Sequence, residues 1–263
     1  MKLVVQSDDY GITRAAALGC VHGIRNGIVR NTGFFTNMPW AEEVFEWIRP
    51  YLDQIAFGID LNASTGPSVL PHEQVPTLTH ENGMFLGSRE NRALDTEENG
   101  FDHLAEHYDE LYAEFDAQIQ KFVKITGRLP DYIHNHAYGT KTTEKVTADL
   151  VKKYGLPDST TLMNITKADM MASVGWYQMG GPEKQLTEDL ITYLVEDKGH
   201  FLEKEIGYLV THCGYCDAEL FALSSFNTCR VKDLEALTSN EVKQWVKDNH
   251  IELITFNDIK DLF

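Results

Sequence analysis

The sequence has little cysteine, little positive charge and no long apolar run, and each shortage excludes a class of protein. The cysteines are Cys20, Cys213, Cys216 and Cys229. Four thiols in 263 residues do not form a disulfide framework, so we expect a reducing, cytoplasmic environment. The formal net charge of −17 argues against nucleic acid and anionic membranes as partners. No apolar run approaches the roughly 18 residues of a membrane span, and we see no secretory signal.

The residues that are present predict a single α/β domain over 1–263. Apolar residues make up 43% of the chain, which is typical of a globular protein. Short apolar strands alternate with amphipathic helices, and this alternation indicates a parallel sheet. The predicted strands are 2–6, 29–35, 54–58, 131–135, 206–211 and 251–255, and the predicted helices are 12–28, 40–51, 101–126, 142–154, 183–196, 239–249 and 257–263. A loop-rich insertion at about 63–100 is expected to form a lid or one wall of a substrate groove.

Ionisable side chains stand where four of the predicted strands end. They are Asp8 with Asp9, Asp60, His134 with His136, and His212. The carboxyl ends of parallel strands meet at one end of a barrel, so these groups are expected to share a site. Carboxylates and imidazoles are ligands for a divalent cation, and an incomplete protein shell leaves room for water. Taken alone, the pair Asp8 and Asp9 would fit a solvated loop before a helix equally well.

Five stretches, in this order, resemble motifs of the YdjC-like carbohydrate deacetylases, the family that includes the chitooligosaccharide deacetylases. They are Asp8-Asp9-Tyr10-Gly11; Gly58-Ile59-Asp60-Leu61-Asn62 followed by Thr65-Gly66-Pro67; the segment 118–136; Thr211-His212-Cys213-Gly214-Tyr215-Cys216-Asp217; and Arg230 with Asp233-Leu234 and Leu237-Thr238-Ser239. Together they extend over most of the chain. The resemblance implies a single-domain, distorted (β/α) barrel with parallel strands and its site at the C-terminal ends of the strands.

The resemblance also implies a metal-dependent hydrolase. Its substrate would be a small, soluble N-acetylated sugar or oligosaccharide, with a phosphorylated sugar also compatible, and its products acetate and a free amine. One divalent metal ion, magnesium or zinc, would be held by Asp9 and His136. Asp8 would be the base that deprotonates the attacking water, and His212 the acid for the departing amine or a donor to the tetrahedral intermediate. Amide hydrolysis needs these parts, because the carbonyl must be polarised and the amine must receive a proton.

Two positions depart from the family pattern. The family has histidine where this chain has Asp60, and usually an acidic residue where this chain has His134. We hypothesise that the two have exchanged roles, so that either Asp60 binds the metal directly or His134 binds it with Asp60 as its orienting partner. Two alternatives stay open. The chain could be a sugar-binding or regulatory protein with a degraded metal site, or a hydrolase of another amide or ester.

The candidates for substrate binding lie beside these positions. They are Tyr10, Asn62, Tyr138, Tyr215 and Arg230. Each tyrosine could stack on a sugar ring, and packing in the core is at least as good an explanation. Arg230 could hold an anionic or hydroxyl group of the substrate, or pair with a surface carboxylate. The sequence is compatible with a homodimer but does not determine the oligomeric state.

Overall fold

The computed structural model describes residues 1–166 and 174–263. The strands are β1 (Lys2–Tyr10), β2 (Asn31–Phe34), β3 (Ala56–Leu61), β4 (Ile133–Asn135), β5 (Ile206–Thr211) and β6 (Glu252–Ile254). The α-helices are α1 (Arg14–Asn26), α2 (Ala41–Ile48), α3 (Ser88–Leu94), α4 (Tyr108–Thr126), α5 (Lys141–Tyr154), α6 (Ser159–Thr166), α7 (Pro182–Gln185), α8 (Leu190–Val195), α9 (Ala218–Leu223), α10 (Cys229–Thr238) and α11 (Asn240–Asp248). Within these ranges, no helix has both the length and the apolar character needed to cross a bilayer.

The six strands pair in parallel around β1, in the order β4-β3-β2-β1-β5. One edge of β1 pairs with β5, and the other edge pairs first with β6 and then with β2. Asn31 bridges this change of partner, because its Nδ2 donates to the carbonyl oxygens of Val5 at 3.1 Å and Ile254 at 3.2 Å. The sheet curls into a half-barrel with helices around it. The predicted α/β fold with parallel strands is therefore confirmed.

The two faces of the curled sheet pack into different cores. Leu3 and Val5 of β1 belong to the large core between the sheet and the outer helices. Val4 belongs to a smaller core inside the curl, together with Tyr132 and Tyr208. Helix α6 contacts both edge strands, β4 and β5, and so packs between them. Side chains of β1 alternate between the two cores up to Asp8, as expected for a strand, and this places Val4, Gln6 and Asp8 inside.

Several elements differ from their predicted bounds. β1 continues to Tyr10 instead of ending at Gln6, because buried polar residues carry on the pairing with β2. The helix predicted over 101–126 begins only at Tyr108. The region 183–196 forms two helices instead of one, because the Asp189 side chain caps the second by accepting a hydrogen bond from the amide of Thr192. Apolar periodicity does not report such polar interruptions.

Candidate metal and catalytic site

Three side chains at the ends of β1, β3 and β4 form a compact cluster of metal-ligand type. Asp8, Asp60 and His134 each offer one ligand atom, and these atoms lie within 4.8 Å of one another. Asp60 and His134 are direct partners in the register of β3 and β4. His134 Nε2 lies 3.1 Å from Asp8 Oδ2, and its Nδ1 lies 2.7 Å from Ser159 Oγ. Asp60 and His134 are therefore adjacent, as the hypothesis that they have exchanged roles requires.

One carboxylate oxygen of Asp60 gives the clearest indication of a cation site. Its Oδ2 accepts a hydrogen bond from the amide of Asp9 at 2.6 Å. Its Oδ1 is buried and has no hydrogen-bond partner among residues 1–166 and 174–263. A buried carboxylate oxygen without a partner is costly unless a proton or a cation neutralises it. Two carboxylates, an imidazole and an unpaired oxygen therefore fit a divalent cation.

Neighbouring residues make room for this cluster and hold it. A Cβ atom at Gly33 on β2 would lie 1.6 Å from Asp60 Oδ1, so only glycine leaves space for the carboxylate. Gln6 donates from Nε2 to Asp8 Oδ1, and its Oε1 accepts a hydrogen bond from Tyr208 at 2.7 Å. Both oxygens of Asp8 therefore have protein partners, one from Gln6 and one from His134.

The three ionisable groups of the cluster differ in the direction of their pKa shifts. Burial, reinforced by repulsion from Asp8, raises the pKa of Asp60 well above its usual range. Burial alone would raise the pKa of Asp8, but the attraction of His134 outweighs it and the pKa is lowered. Burial likewise opposes the charge on His134, yet Asp8 raises the pKa of that imidazole to about 9. Asp8 and His134 are therefore an ion pair, whereas Asp60 forms no salt bridge within the described ranges 1–166 and 174–263 and feels the charge of His134 only as a weaker influence than burial and Asp8.

Asp9 takes part in a different set of contacts from Asp8. Its backbone has a φ of +66°, which turns the side chain away from the regular alternation of the strand. Its Oδ1 lies 2.7 Å from His136 Nδ1, and its Oδ2 lies 2.6 Å from Arg230 Nη2. Burial opposes its charge, but His136 and Arg230 hold the pKa of Asp9 well below its usual range. The structure thus groups Asp8, rather than Asp9, with Asp60 and His134.

Arg230 is a buried residue in this arrangement. Its side chain and that of Asp9 are each 1% exposed. Its Nε donates to the carbonyl oxygen of Phe226 at 2.9 Å. Of the two alternatives for Arg230, a substrate group or a surface carboxylate, the structure shows a carboxylate partner, and that partner is buried instead of lying at the surface. The guanidinium fixes Asp9, and Asp9 in turn orients His136, whose Nε2 lies 3.2 Å from Thr65 Oγ1.

His212, at the end of β5, has its own supporting group. Its Nδ1 lies 2.9 Å from the Tyr177 hydroxyl, and its amide donates to Asp233 Oδ2 at 2.7 Å. Asp233 also accepts hydrogen bonds from Tyr177 and from Trp176 Nε1. Burial lowers the pKa of His212 to about 4, so the ring is neutral at physiological pH. Sequence reasoning missed Tyr177, which lies outside every recognised motif.

Two of the predicted sugar-binding tyrosines are buried. Tyr10 is wholly inaccessible, packs against Phe34 and Phe57, and donates its hydroxyl to the carbonyl oxygen of Val44 at 2.5 Å. Its ring has no free face for a sugar, and the core-packing alternative is the one the structure supports. Tyr138 is also buried, and its hydroxyl bonds both carboxylate oxygens of Asp95 at 2.9 and 3.0 Å.

The other two predicted substrate residues are engaged elsewhere. Tyr215 is 40% exposed, and its hydroxyl lies 2.6 Å from His22 Nδ1 on α1. Asn62 is fully buried and holds the turn after β3, with its Nδ2 donating to the carbonyl oxygen of Thr65 at 2.6 Å. Asn62 therefore shapes the turn that positions the Thr65 hydroxyl facing His136.

Comparison with known proteins places this geometry in a family. The model of the YdjC-like protein family matches residues 2–248. A carbohydrate deacetylase of Clostridium beijerinckii is 29% identical over 98% of this chain and 100% of the relative. One of Halalkalibacterium halodurans is 30% identical over 90% of this chain and 95% of the relative. A solved structure from Enterococcus faecalis V583, described as a candidate cellobiose-phosphate cleavage protein, superposes with a TM-score of 0.77 at 26% identity over 98% of each chain.

Proposed function

Because the chain belongs to the YdjC-like family, we propose that it is a cation-dependent carbohydrate deacetylase that removes an N-acetyl group from a small, soluble sugar. The names of its relatives support the reaction class. The observation that carries the proposal is the Asp60 carboxylate, which has a buried Oδ1 without a hydrogen-bond partner among the described residues and offers a ligand atom within 4.8 Å of those of Asp8 and His134. A divalent cation bound there would polarise the acetyl carbonyl and acidify water.

We assign the cation to Asp8, Asp60 and His134. This modifies the expectation from the family motifs, in which Asp9 and His136 bind the metal and Asp8 acts as the base. The reason is geometric, because the ligand atoms of Asp8, Asp60 and His134 lie within 4.8 Å of one another, and Asp60 Oδ1 has no hydrogen-bond partner among residues 1–166 and 174–263. Of the two forms of the exchange hypothesis, we therefore favour the one in which Asp60 binds the cation directly.

The remaining residues supply orientation and proton transfer. Asp9, fixed by Arg230, holds His136 Nδ1 and so fixes the ring beside the cluster. His212 approaches from β5, whose Thr211 pairs with Ser7 immediately before Asp8. The amine that leaves an amide must gain a proton, and we assign that delivery to His212. A cytoplasmic location, a homodimer and a phosphorylated substrate stay predictions.

Acetate release tests the proposal. N-acetylated di- and trisaccharides, with and without a 6-phosphate, are incubated with chelator-treated protein and then with magnesium or zinc. Release should require the cation, and Asp60→Asn should lower it by more than the roughly 10–100-fold typical of losing an outer partner of a metal site. Asp53→Asn, an exposed aspartate at the turn before β3, is the matched control and should leave release unchanged.

Three outcomes would contradict the proposal. Release that survives both the chelator and Asp60→Asn would remove the cation from the mechanism. Hydrolysis confined to O-acetyl esters would favour the alternative of a hydrolase of another acyl bond. Saccharide binding without release under any cation would favour the sugar-binding alternative with a degraded site.

A further inference from the structure

Tyr177 stands between His212 and a buried carboxylate, and nothing in the family motifs accounts for it. Its hydroxyl contacts His212 Nδ1 at 2.9 Å on one side and Asp233 Oδ2 on the other. The Phe226 ring packs edge-on against the rings of His212 and Tyr177, with its centroid 4.9 Å from that of His212 and 4.7 Å from that of Tyr177. The three groups are therefore held in a fixed line from carboxylate to hydroxyl to imidazole.

The hydrogen-bond donors along this line determine whether Nδ1 of the imidazole carries a proton. Three donors converge on Asp233, namely the hydroxyl of Tyr177, Nε1 of Trp176 and the amide of His212. Burial raises the pKa of Asp233 to about 6 in spite of these bonds, so above that pH it is a carboxylate and only accepts. A hydroxyl has one proton. Tyr177 uses its proton in the hydrogen bond that it donates to Asp233. The hydrogen bond between Tyr177 and His212 must therefore be donated by a proton on Nδ1 of His212.

We infer that Tyr177 is a positioning residue that holds His212 in the tautomer with its proton on Nδ1, so that Nε2 is a free proton acceptor. Among residues 1–166 and 174–263, no group forms a hydrogen bond with that nitrogen. His212 directly follows Thr211, whose partner on β1, Ser7, directly precedes Asp8, so the ring starts from the same end of the sheet as the proposed cation cluster. Resting His212 is therefore able to receive a proton but not to deliver one.

The consequence for catalysis rests on the proposed function. Water attacks the acetyl carbon, the electron pair of the C=O π bond moves to the carbonyl oxygen, and the O–H bond of the water breaks as the Nε2–H bond of His212 forms. The pair then returns to re-form C=O as the C–N bond breaks with its electrons moving to nitrogen, and the same proton passes from Nε2 to the departing amine. His212 ends as it began, and the imidazolium formed in between is stabilised by Asp233 through Tyr177. One histidine thus serves as both base and acid, which agrees with the occupied oxygens of Asp8.

Nitrogen NMR of the full-length, ¹⁵N-labelled chain tests the tautomer directly at pH 8. His212→Gln identifies the signals of this ring among those of the 10 histidines. We expect a protonated Nδ1 and a bare Nε2 in the wild type, and a mixture of tautomers in Tyr177→Phe. With substrate, Tyr177→Phe should lower kcat at least about ten-fold and leave KM nearly unchanged. The matched control is Tyr154→Phe, which removes a Tyr–Asp hydrogen bond to Asp116 between α5 and α4 and should change neither readout.

The spectra test the tautomer of His212, and the assay tests the proposed function, so each can be contradicted without the other. A wild-type ring protonated on Nε2, or an unchanged tautomer in Tyr177→Phe, overturns the inference even if acetate is released. The wild-type spectrum decides the point even if Tyr177→Phe does not fold. The expected tautomer with no acetate release from any substrate supports the role of Tyr177 and removes the proposed function, because the spectra require neither cation nor sugar.

Discussion

Replacing Arg230 by methionine removes the only full positive charge that contacts Asp9 within the described ranges 1–166 and 174–263, apart from His136 when it is protonated. The two side chains are 1% exposed, and Arg230 Nη2 lies 2.6 Å from Asp9 Oδ2. Methionine fills a similar volume, so the main effect is a buried carboxylate without its partner. Breaking a buried pair in this way costs about 3–5 kcal/mol. We therefore expect Arg230→Met to lower the free energy of unfolding by that amount.

Thermal and urea unfolding of chelator-treated protein measure this change. For a chain of about this size, 1 kcal/mol corresponds to roughly 2–4 °C in Tm, so Arg230→Met should lower Tm by about 6–20 °C. Adding Asp9→Asn removes the orphaned charge and should recover a large part of the loss. The matched control is Arg14→Met, because Arg14 pairs with Glu43 at 2.7 Å but both side chains are almost half exposed. Because an exposed pair contributes little to stability, that change should lower Tm much less than Arg230→Met does.

The comparison separates burial from ion pairing as the cause. Equal losses for Arg230→Met and Arg14→Met would show that burial of the Asp9 pair has no special weight. A loss in Arg230→Met that Asp9→Asn does not reduce would show that the cost comes from packing of the arginine stem and not from the carboxylate. Either result would refute the description of Asp9 as a charge held in place by Arg230.

Two further predictions concern the charges around the cation cluster. In chelator, His134→Asp should lower the free energy of unfolding by about 3–5 kcal/mol, because it leaves buried carboxylates without a counter-charge. The double variant that also carries Asp60→His should recover most of this loss. If urea unfolding instead shows that the losses of the two single variants add, the exchange hypothesis is contradicted. His212 has a folded pKa of about 4 against 6.5 for a free ring. The unfolded chain therefore binds a proton that the folded chain does not, and the wild type should lose stability relative to His212→Gln as pH falls from about 6.5 towards 4; a parallel pH dependence of the two would contradict the buried, neutral ring.

The sequence was sufficient to predict the parallel α/β fold and to place the ionisable residues at strand ends. It was not sufficient to divide the work between Asp8 and Asp9. Alternation along β1 places Val4, Gln6 and Asp8 on the inner face, but this can be applied only once β1 is known to run beyond Gln6. The positive φ of Asp9 then breaks the alternation. Its partner Arg230 is 221 residues away in the chain, and no local pattern reports a contact of that kind.

The hydrogen-bond partners of His212 are a second feature that the sequence was not sufficient to predict. Asp233 lies in a recognised motif, yet its role is defined by Tyr177, which reaches it from a segment 56 residues earlier. A tyrosine in a poorly patterned segment reads as a core residue until its hydroxyl partners are known. Tyr10 illustrates the converse, because it belongs to the opening motif and proves to be core. Nearness in sequence to a site residue therefore says little about contact, since strand neighbours point to opposite faces.

The departures at Asp60 and His134 are compatible with decay of the site or with an exchange of roles, and burial favours our proposal of exchange. The positions are direct partners on adjacent strands, so the carboxylate and the imidazole occupy the same region whichever strand supplies each. A site that had lost its cation would be stabilised by losing its buried charges, because an unpaired carboxylate opposes folding. This chain instead has Asp8, Asp9 and Asp60 buried, and no group of the described residues donates to Asp60 Oδ1. It also has Gly33 at a position where any side chain would displace that oxygen. A cost of that kind, retained at one point of the fold, is expected where a ligand repays it.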